Sequence, residues 1–94
     1  MRIKIAGYQI EVKTVPNLAA DTRQIGQYSH RFQEIRIDAG STEQQKNETL
    51  IHEILEAVDC IYDLNLDHDN QLCKLSVILH QIITDNKELI SNIK

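Results

Sequence analysis

The sequence predicts an α+β fold in which a small antiparallel sheet of two N-terminal hairpins packs on a long helix and a second, C-terminal helix. Three observations support this prediction. Apolar and polar residues alternate in four short segments between Arg2 and Asp38, as they do in half-buried strands. Later apolar residues recur at spacings of three and four, and a chain of 94 residues that is 41% apolar suffices for one modest core. We therefore expect a single domain over residues 1–94.

The strand region divides into two hairpins. Residues 2–6 and 8–15 alternate, and the step between them is short enough to reverse the chain. Pro16-Asn17 breaks this pattern, and the segment that follows, through Gln24, has no clear period, so it is expected to be a loop or a single helical turn. Alternation returns in residues 26–30 and 34–38 around a polar turn, which predicts the second hairpin.

Two helices follow the strands. Ser41–Gln44 supplies a hydroxyl N-cap and a glutamine in the first turn, so a helix should begin there and run to about Tyr62. Its apolar stripe should pack on the sheet and contains Leu50, Ile51, Ile54, Leu55, Val58, Ile61 and Tyr62. A second helix should start after Asp67, a plausible cap, and end near Asp85. Its predicted buried face contains Leu72, Leu75, Ile78, Leu79, Ile82 and Ile83.

Charge and composition exclude several classes of protein. The formal net charge is −4, and the ten basic residues are scattered, which argues against nucleic-acid binding and against a basic membrane helix. The start of the chain lacks the apolar region of a secretory signal, and no stretch approaches the length of a membrane span, so a cytoplasmic protein is expected. Cys60 and Cys73 have no CxxC spacing and are predicted to be small buried hydrophobes.

A polar row on the first helix offers metal ligands. His52, Glu56, Asp59 and Asp63 fall within one narrow arc, and side chains four residues apart can converge on a single ion. Glu53 is placed where a carboxylate can hold and deprotonate a metal-bound water. The alternative is an ordinary solvent-facing row in which His52 is hydrogen-bonded to a carboxylate.

A third ligand has to come from outside this helix, because catalytic zinc sites use about three protein groups and leave one position for water. His68, at the start of the second helix, should face the first helix, and the positive end of the helix dipole there favours the neutral imidazole that a metal requires. His80 borders the apolar face and is more typical of a packing histidine. For His30, in the second hairpin, we expect either a contact with a substrate or no role in the site.

The segment Glu48–Asp59, with the sequence ETLIHEILEAVD, resembles the active-site helix of small phage and prophage proteins related to ImmA/IrrE-type zinc metallopeptidases. The similarity extends over roughly residues 26–86. It implies a minimal zincin in which His52 is a zinc ligand and Glu53 is the catalytic base. It also implies that the strand Glu34–Asp38 is the edge beside the cleft, along which a peptide substrate binds by strand addition.

This chain departs from that family at Glu56, which replaces the second histidine of HExxH. A carboxylate can bind zinc, and the set His52, Glu56 and His68 has the ligand charge of many zinc hydrolases in permuted order. Recruitment of Asp59 would make the site richer in oxygen and favour manganese or another hard divalent ion.

Three hypotheses about function follow. The first is a zinc-dependent peptidase of phage or prophage type that acts on a peptide or protein. The second is a catalytically inactive zincin scaffold that serves as an accessory or regulatory module and binds another protein. The third is a homodimer whose edge strand or second helix completes the cleft. A fourth protein ligand, such as Asp59 or His80, would close the site and distinguish a structural metal from a catalytic one.

Overall fold

The computed structural model describes residues 1–93 and has the predicted α+β fold, in which one four-stranded sheet packs with a long helix and a C-terminal helix. The elements are β1 (Arg2–Ile5), β2 (Tyr8–Val15), α1 (Leu18–Thr22), β3 (Gly26–Ser29), β4 (Glu34–Asp38), α2 (Glu43–Tyr62), a π-helical turn (His68–Leu72), α3 (Cys73–Asp85) and α4 (Lys87–Asn92). The segment predicted to be a loop or a helical turn is α1. Within residues 1–93, no helix has both the length and the apolar content required to cross a membrane.

Both predicted hairpins are present and antiparallel. In the first, Ile5 pairs with Tyr8, and the two turn residues Ala6 and Gly7 have φ of 50° and 86°, as a type I′ turn requires. The strand order is β1-β2-β4-β3, so the hairpins join through a parallel β2–β4 pair and the sheet is mixed. The join is parallel because β3 runs back from the end where β2 finishes, and β4 inserts between them in the direction of β2.

This topology corrects two expectations. The sheet was expected to be antiparallel, but its central β2–β4 pair is parallel. The strand Glu34–Asp38 was expected to be the edge beside the cleft, but β4 lies between β2 and β3. Four of its five residues are accordingly buried. A strand in the middle of a sheet, such as β4, is paired on both sides and has no free edge. The edge strand next to α2 is β3.

The core lies between the sheet and α2. Ile10, Ile35, Ile37 and Ala57 form its buried cluster. Partly buried residues pack around this cluster: Ile3, Ile5, Val12, Tyr28, Leu50 and Ile54. The helix α2 begins where predicted, since the side chain of Thr42 accepts a hydrogen bond from the Gln45 amide at 3.1 Å.

The most buried positions of α2 repeat every four residues: Thr49, Glu53 and Ala57. The predicted stripe lies beside this line, and its members are half-buried except for Tyr62, which is exposed. Gly26 of β3 faces the helix, and a Cβ there would clash with Thr49 Cγ2 and lie 3.0 Å from Glu53 Oε2. The missing side chain of Gly26 therefore lets β3 and α2 approach closely and places Glu53 in the interface.

The second helical segment, which consists of the π-helical turn and α3, begins at the predicted cap. There the Asp67 side chain accepts a hydrogen bond from the Asn70 amide at 3.1 Å. Its predicted buried face is wrong, however. Leu72 is buried, but the side of α3 formed by Leu75, Ile78, Leu79 and Ile82 is 38–53% exposed. The π-helical turn is the cause, because it adds one residue to the first turn and rotates all later residues by about 100° relative to an α-helix. The positions turned towards α2 include Cys73 and three residues whose side chains lie against it: His68, Ser76 and His80.

The two cysteines also differ from their prediction as buried hydrophobes. Cys60 is exposed, Cys73 is partly exposed, and both are free thiols. Cys60 lies near the end of α2, and Cys73 lies at the junction of the π-helical turn with α3. The same one-residue rotation turns Cys73 towards α2 and away from the solvent-facing side of its helix.

Candidate metal centre

A cavity of about 390 Å³ lies between α2, the second helical segment and the residues that lead into β3. Its wall on α2 includes His52, Glu53 and Glu56. The opposite wall includes His68, Cys73 and Ser76, while Gln24, Ile25 and Gly26 contribute the side next to the sheet. The cavity therefore contains all four side chains that the sequence identified as first candidates: His52, Glu53, Glu56 and His68.

His52 is held in one tautomer by its neighbour on α3. Its Nδ1 lies 3.1 Å from Ser76 Oγ, and Ser76 donates its own hydroxyl proton to the Leu72 carbonyl at 2.7 Å. Ser76 Oγ can therefore only accept from His52, so the proton is on Nδ1 and Nε2 carries a free lone pair. Burial lowers the pKa of His52, which keeps the ring neutral. A neutral imidazole with Nδ1 fixed in this way is the form that binds a metal through Nε2.

His68 approaches from the π-helical turn and is more exposed. Its Nδ1 lies 3.1 Å from Asp69 Oδ1, and its Nε2 faces Glu56. The hydrogen bond with Asp69 raises the pKa of His68. This direction is opposite to the neutral form that was expected at the helix start, because the Asp69 carboxylate favours the charged ring. An acidic partner on Nδ1 nevertheless orients the ring and increases the basicity of Nε2 towards a metal.

Glu56 connects the two histidines. Its Oε1 lies 3.7 Å from His52 Nε2 and 3.4 Å from His68 Nε2. Both distances exceed the roughly 2.7–3.2 Å of a hydrogen bond, so a simple histidine–carboxylate hydrogen bond does not describe this contact. Ligand atoms bound at about 2.0–2.2 Å to a tetrahedral zinc are themselves about 3.4 Å apart. The distance from Glu56 Oε1 to each histidine nitrogen is thus close to the distance between two ligands of one ion.

Glu53 is the buried acid of the cluster. The residue is only 4% exposed, and its Oε1 has no hydrogen-bond partner within residues 1–93. Burial, together with the neighbouring Glu56 carboxyl, raises the pKa of Glu53 to about 8. Glu53 also belongs to a group that can hold a metal together with His52 and Glu56. One ligand atom from each of these three side chains lies within 4.8 Å of the other two.

Three other candidates lie outside the cavity wall that residues 1–93 form. Asp59 Oδ1 accepts a hydrogen bond from the Leu66 amide at 2.9 Å and so fixes the loop after α2. His80 Nδ1 lies 3.8 Å from Glu48 Oε1, further along the helix pair. His30 contacts the Tyr28 hydroxyl at 2.8 Å in the turn between β3 and β4. Each of these side chains therefore has a local role in the fold.

Sequence reasoning missed three residues of this centre. Asp69 could have been found, because it directly follows His68 and a carboxylate often orients a metal-binding histidine. Ser76 and Cys73 could not be found from an α-helical wheel, since the π-helical turn brings them to the cavity. A second group that can hold a metal contains His52, His68 and Cys73, again with one atom of each within 4.8 Å of the others.

Comparison with known proteins adds no relative, since no protein-family model, no curated protein and no solved structure matches this chain. The resemblance of the His52-Glu53 helix to ImmA/IrrE-type metallopeptidases thus stays a prediction. What can be said of this centre comes from its own geometry, which brings His52, Glu53, Glu56 and His68 into a cluster that can bind a metal.

Proposed function

We propose that this protein is a zinc-dependent peptidase in which His52, Glu56 and His68 hold the metal and Glu53 is the general base. One observation carries the proposal. Both histidines have Nδ1 occupied by an acceptor and Nε2 turned towards the same Glu56 oxygen, at 3.7 and 3.4 Å. Beside them lies the buried Glu53 carboxyl, whose Oε1 has no hydrogen-bond partner among the described residues. Helices that pack only for stability have no need of this arrangement.

The donor set suits zinc. Two imidazoles and one carboxylate form a common ligand set of catalytic zinc sites, and three protein ligands leave a position for water. Manganese prefers oxygen ligands, and Asp59, which would supply another, is engaged by the Leu66 amide. Glu53 Oε1 supports the same assignment, because Glu53 lines the cavity and this oxygen has no hydrogen-bond partner in the part of the chain that the structure describes.

Bound zinc supplies Lewis-acid chemistry: it polarises a peptide carbonyl and lowers the pKa of a water molecule. The residues of the chain do the rest. Glu53 accepts a proton from the attacking water and returns it to the leaving nitrogen. A metal ion held beside Glu53 would favour the charged carboxylate and so lower the pKa of Glu53. The carboxyl would then be ionised near neutral pH in the metal-loaded protein.

The substrate is proposed to be an extended peptide. The edge strand β3 leads out of the cavity wall, where Ile25 and Gly26 lie beside Glu53. An extended chain added to this edge would run past the metal cluster with its backbone paired to β3. The edge strand that the resemblance implies is thus assigned to residues 26–29 and no longer to β4.

A hydrolysis assay tests this proposal. The zinc-loaded protein is incubated with a fluorescently labelled unfolded protein, and bound zinc is measured in parallel. We expect hydrolysis that falls roughly 100-fold or more in Glu53→Gln, which should still bind zinc. His30→Ala is the matched control and should keep full activity. Zinc-loaded wild type without hydrolysis, or Glu53→Gln with undiminished hydrolysis, would contradict the peptidase.

The second candidate function is a non-catalytic module that binds another protein, and the exposed side of α3 favours it. Leu75, Ile78, Leu79 and Ile82 form an apolar stripe that is 38–53% exposed. Their spacing matches the anchors by which one amphipathic helix packs on another. Stoichiometric zinc without turnover in the same assay would favour this candidate over the peptidase.

A further inference from the structure

We propose that Cys73 is a fourth protein ligand of the metal and closes the coordination sphere of the resting protein. This inference rests on the proposed metal centre and adds a regulatory property to it. The thiolate competes with water for the fourth position, so it lowers the rate of hydrolysis without abolishing it, and turnover comes from the molecules in which Cys73 has left the metal.

The π-helical turn is what brings Cys73 to the centre. In an α-helix, residues five apart point about 140° away from each other. In this turn the Cys73 amide donates to the His68 carbonyl, five residues earlier, which places one residue above the other. Cys73 Sγ consequently lies 3.8 Å from His68 Nδ1. Such turns occur often at functional sites, because they cost helix geometry and persist where a side chain has to be re-aimed.

The distances permit a shared ion. One ligand atom each from His52, His68 and Cys73 lies within 4.8 Å of the other two. Nitrogen and sulfur ligands on a tetrahedral zinc are about 3.5 Å apart, so closure requires the Cys73 thiol to move from the Nδ1 side of the His68 ring towards its Nε2. His68 is exposed and Cys73 is only partly buried, which leaves both side chains free to make that movement.

A second, independent feature points to a ligand at the same place. The Glu53 carboxyl is buried, lies in the same cavity wall, and has an oxygen without a hydrogen-bond partner within residues 1–93. Cys73 is partly buried and lines this cavity, whereas the other cysteine, Cys60, is exposed and contributes nothing to the cavity wall in the described structure. It therefore provides a matched control.

Coordination by Cys73 has two chemical consequences. Binding releases the thiol proton to solvent, because a thiolate is the ligand form of cysteine. The set of two imidazoles, one carboxylate and one thiolate is closed, as in structural zinc sites, and its soft sulfur favours zinc or cobalt over manganese. Hydrolysis then requires that Sγ dissociate and that water enter in its place.

Cobalt(II) titration followed by absorption spectroscopy tests the assignment. Thiolate-to-cobalt charge transfer gives a near-ultraviolet band, whereas tetrahedral cobalt itself gives bands in the visible. We expect both signals from the wild type and from Cys60→Ser. Cys73→Ser should keep the visible bands and lose the near-ultraviolet band, and His52→Ala should lose most of both.

The outcomes separate this inference from the proposed function. Cobalt bound by the wild type without a near-ultraviolet band, or a band that persists in Cys73→Ser, would overturn the role of Cys73 while the metal centre stands. Failure of the folded wild type to bind cobalt or zinc would overturn the metal centre itself, and with it the role of Cys73.

Discussion

Glu53 makes the stability of the metal-free protein depend on pH. Its ordinary pKa is 4.5, and burial beside Glu56 raises the pKa to about 8 in the fold. The folded state therefore binds this proton more tightly than the unfolded state does. The stabilisation is complete below about pH 4.5 and is lost as the pH rises through about 8, with a slope on the order of 1 kcal/mol per pH unit.

Replacement of Glu53 by glutamine tests this linkage. Gln keeps the shape of the protonated acid but cannot ionise, so the free energy of unfolding of Glu53→Gln should not show the decline that Glu53 causes. Urea unfolding with a chelator present, at several pH values between about 5 and 8, measures the difference between the two proteins. The variant should gain stability relative to wild type as the pH rises. A constant difference across this range would show that Glu53 titrates normally.

The α2 residues of the centre could be predicted from the sequence because a long helix fixes their relative positions. His52 and Glu56 are one turn apart, and the capping residues near Thr42 set where the helix starts. The degree of burial of Glu53 could not be predicted in the same way. It depends on Gly26, whose missing side chain lets the helix approach a strand that is distant in the sequence.

At the scale of elements, one extra residue in the π-helical turn decides which side of α3 faces the centre. An α-helical wheel started at His68 aligns it with Leu72, Leu75 and Leu79, but the structure aligns it with Cys73, Ser76 and His80. Periodicity assumes a constant number of residues per turn and cannot reveal a local change in that number. The prediction of the helix was therefore correct while the prediction of its buried face was wrong.

The contact of β3 with α2 yields a prediction at this scale. Gly26→Ala should destabilise the protein by about 1–3 kcal/mol, because the added methyl meets Thr49 Cγ2 and the Glu53 side chain. Thr49→Ser removes that Cγ2 and should restore part of the stability in the double variant. Thermal and urea unfolding of both single variants and the double variant measure the coupling. Gly26→Ala with unchanged stability, or purely additive effects, would contradict the close approach described for these elements.

At the scale of the whole molecule, the order of the strands was beyond sequence reasoning. Alternation of apolar and polar residues identifies strands and their inner faces, and both hairpins follow from it. It does not tell which strand of one hairpin pairs with which strand of the other. In the structure β2 pairs with β4, which leaves β3 at the edge of the sheet beside the cavity.

The exposed apolar stripe of α3 predicts self-association. Four large apolar side chains on one side of a helix, Leu75, Ile78, Leu79 and Ile82, suit a symmetric contact in which the α3 helices of two copies pack on each other. We expect the wild type to dimerise as its concentration rises and Ile78→Glu to stay monomeric. Leu64→Glu, at an exposed position outside the stripe, is the control. Sedimentation velocity gives the result, and a wild type that is monomeric at every concentration would rule out this contact.

The central claim is that α2 and the second helical segment together hold one metal ion, and elemental analysis tests it most directly. Protein purified without added metal or chelator is compared with His52→Ala, with His68→Ala and with the control His30→Ala. We expect about one equivalent of zinc in the wild type and in the control, and little in either cavity variant. A folded wild type that carries no zinc and binds none on titration, or a His52→Ala variant that keeps it all, would contradict the account.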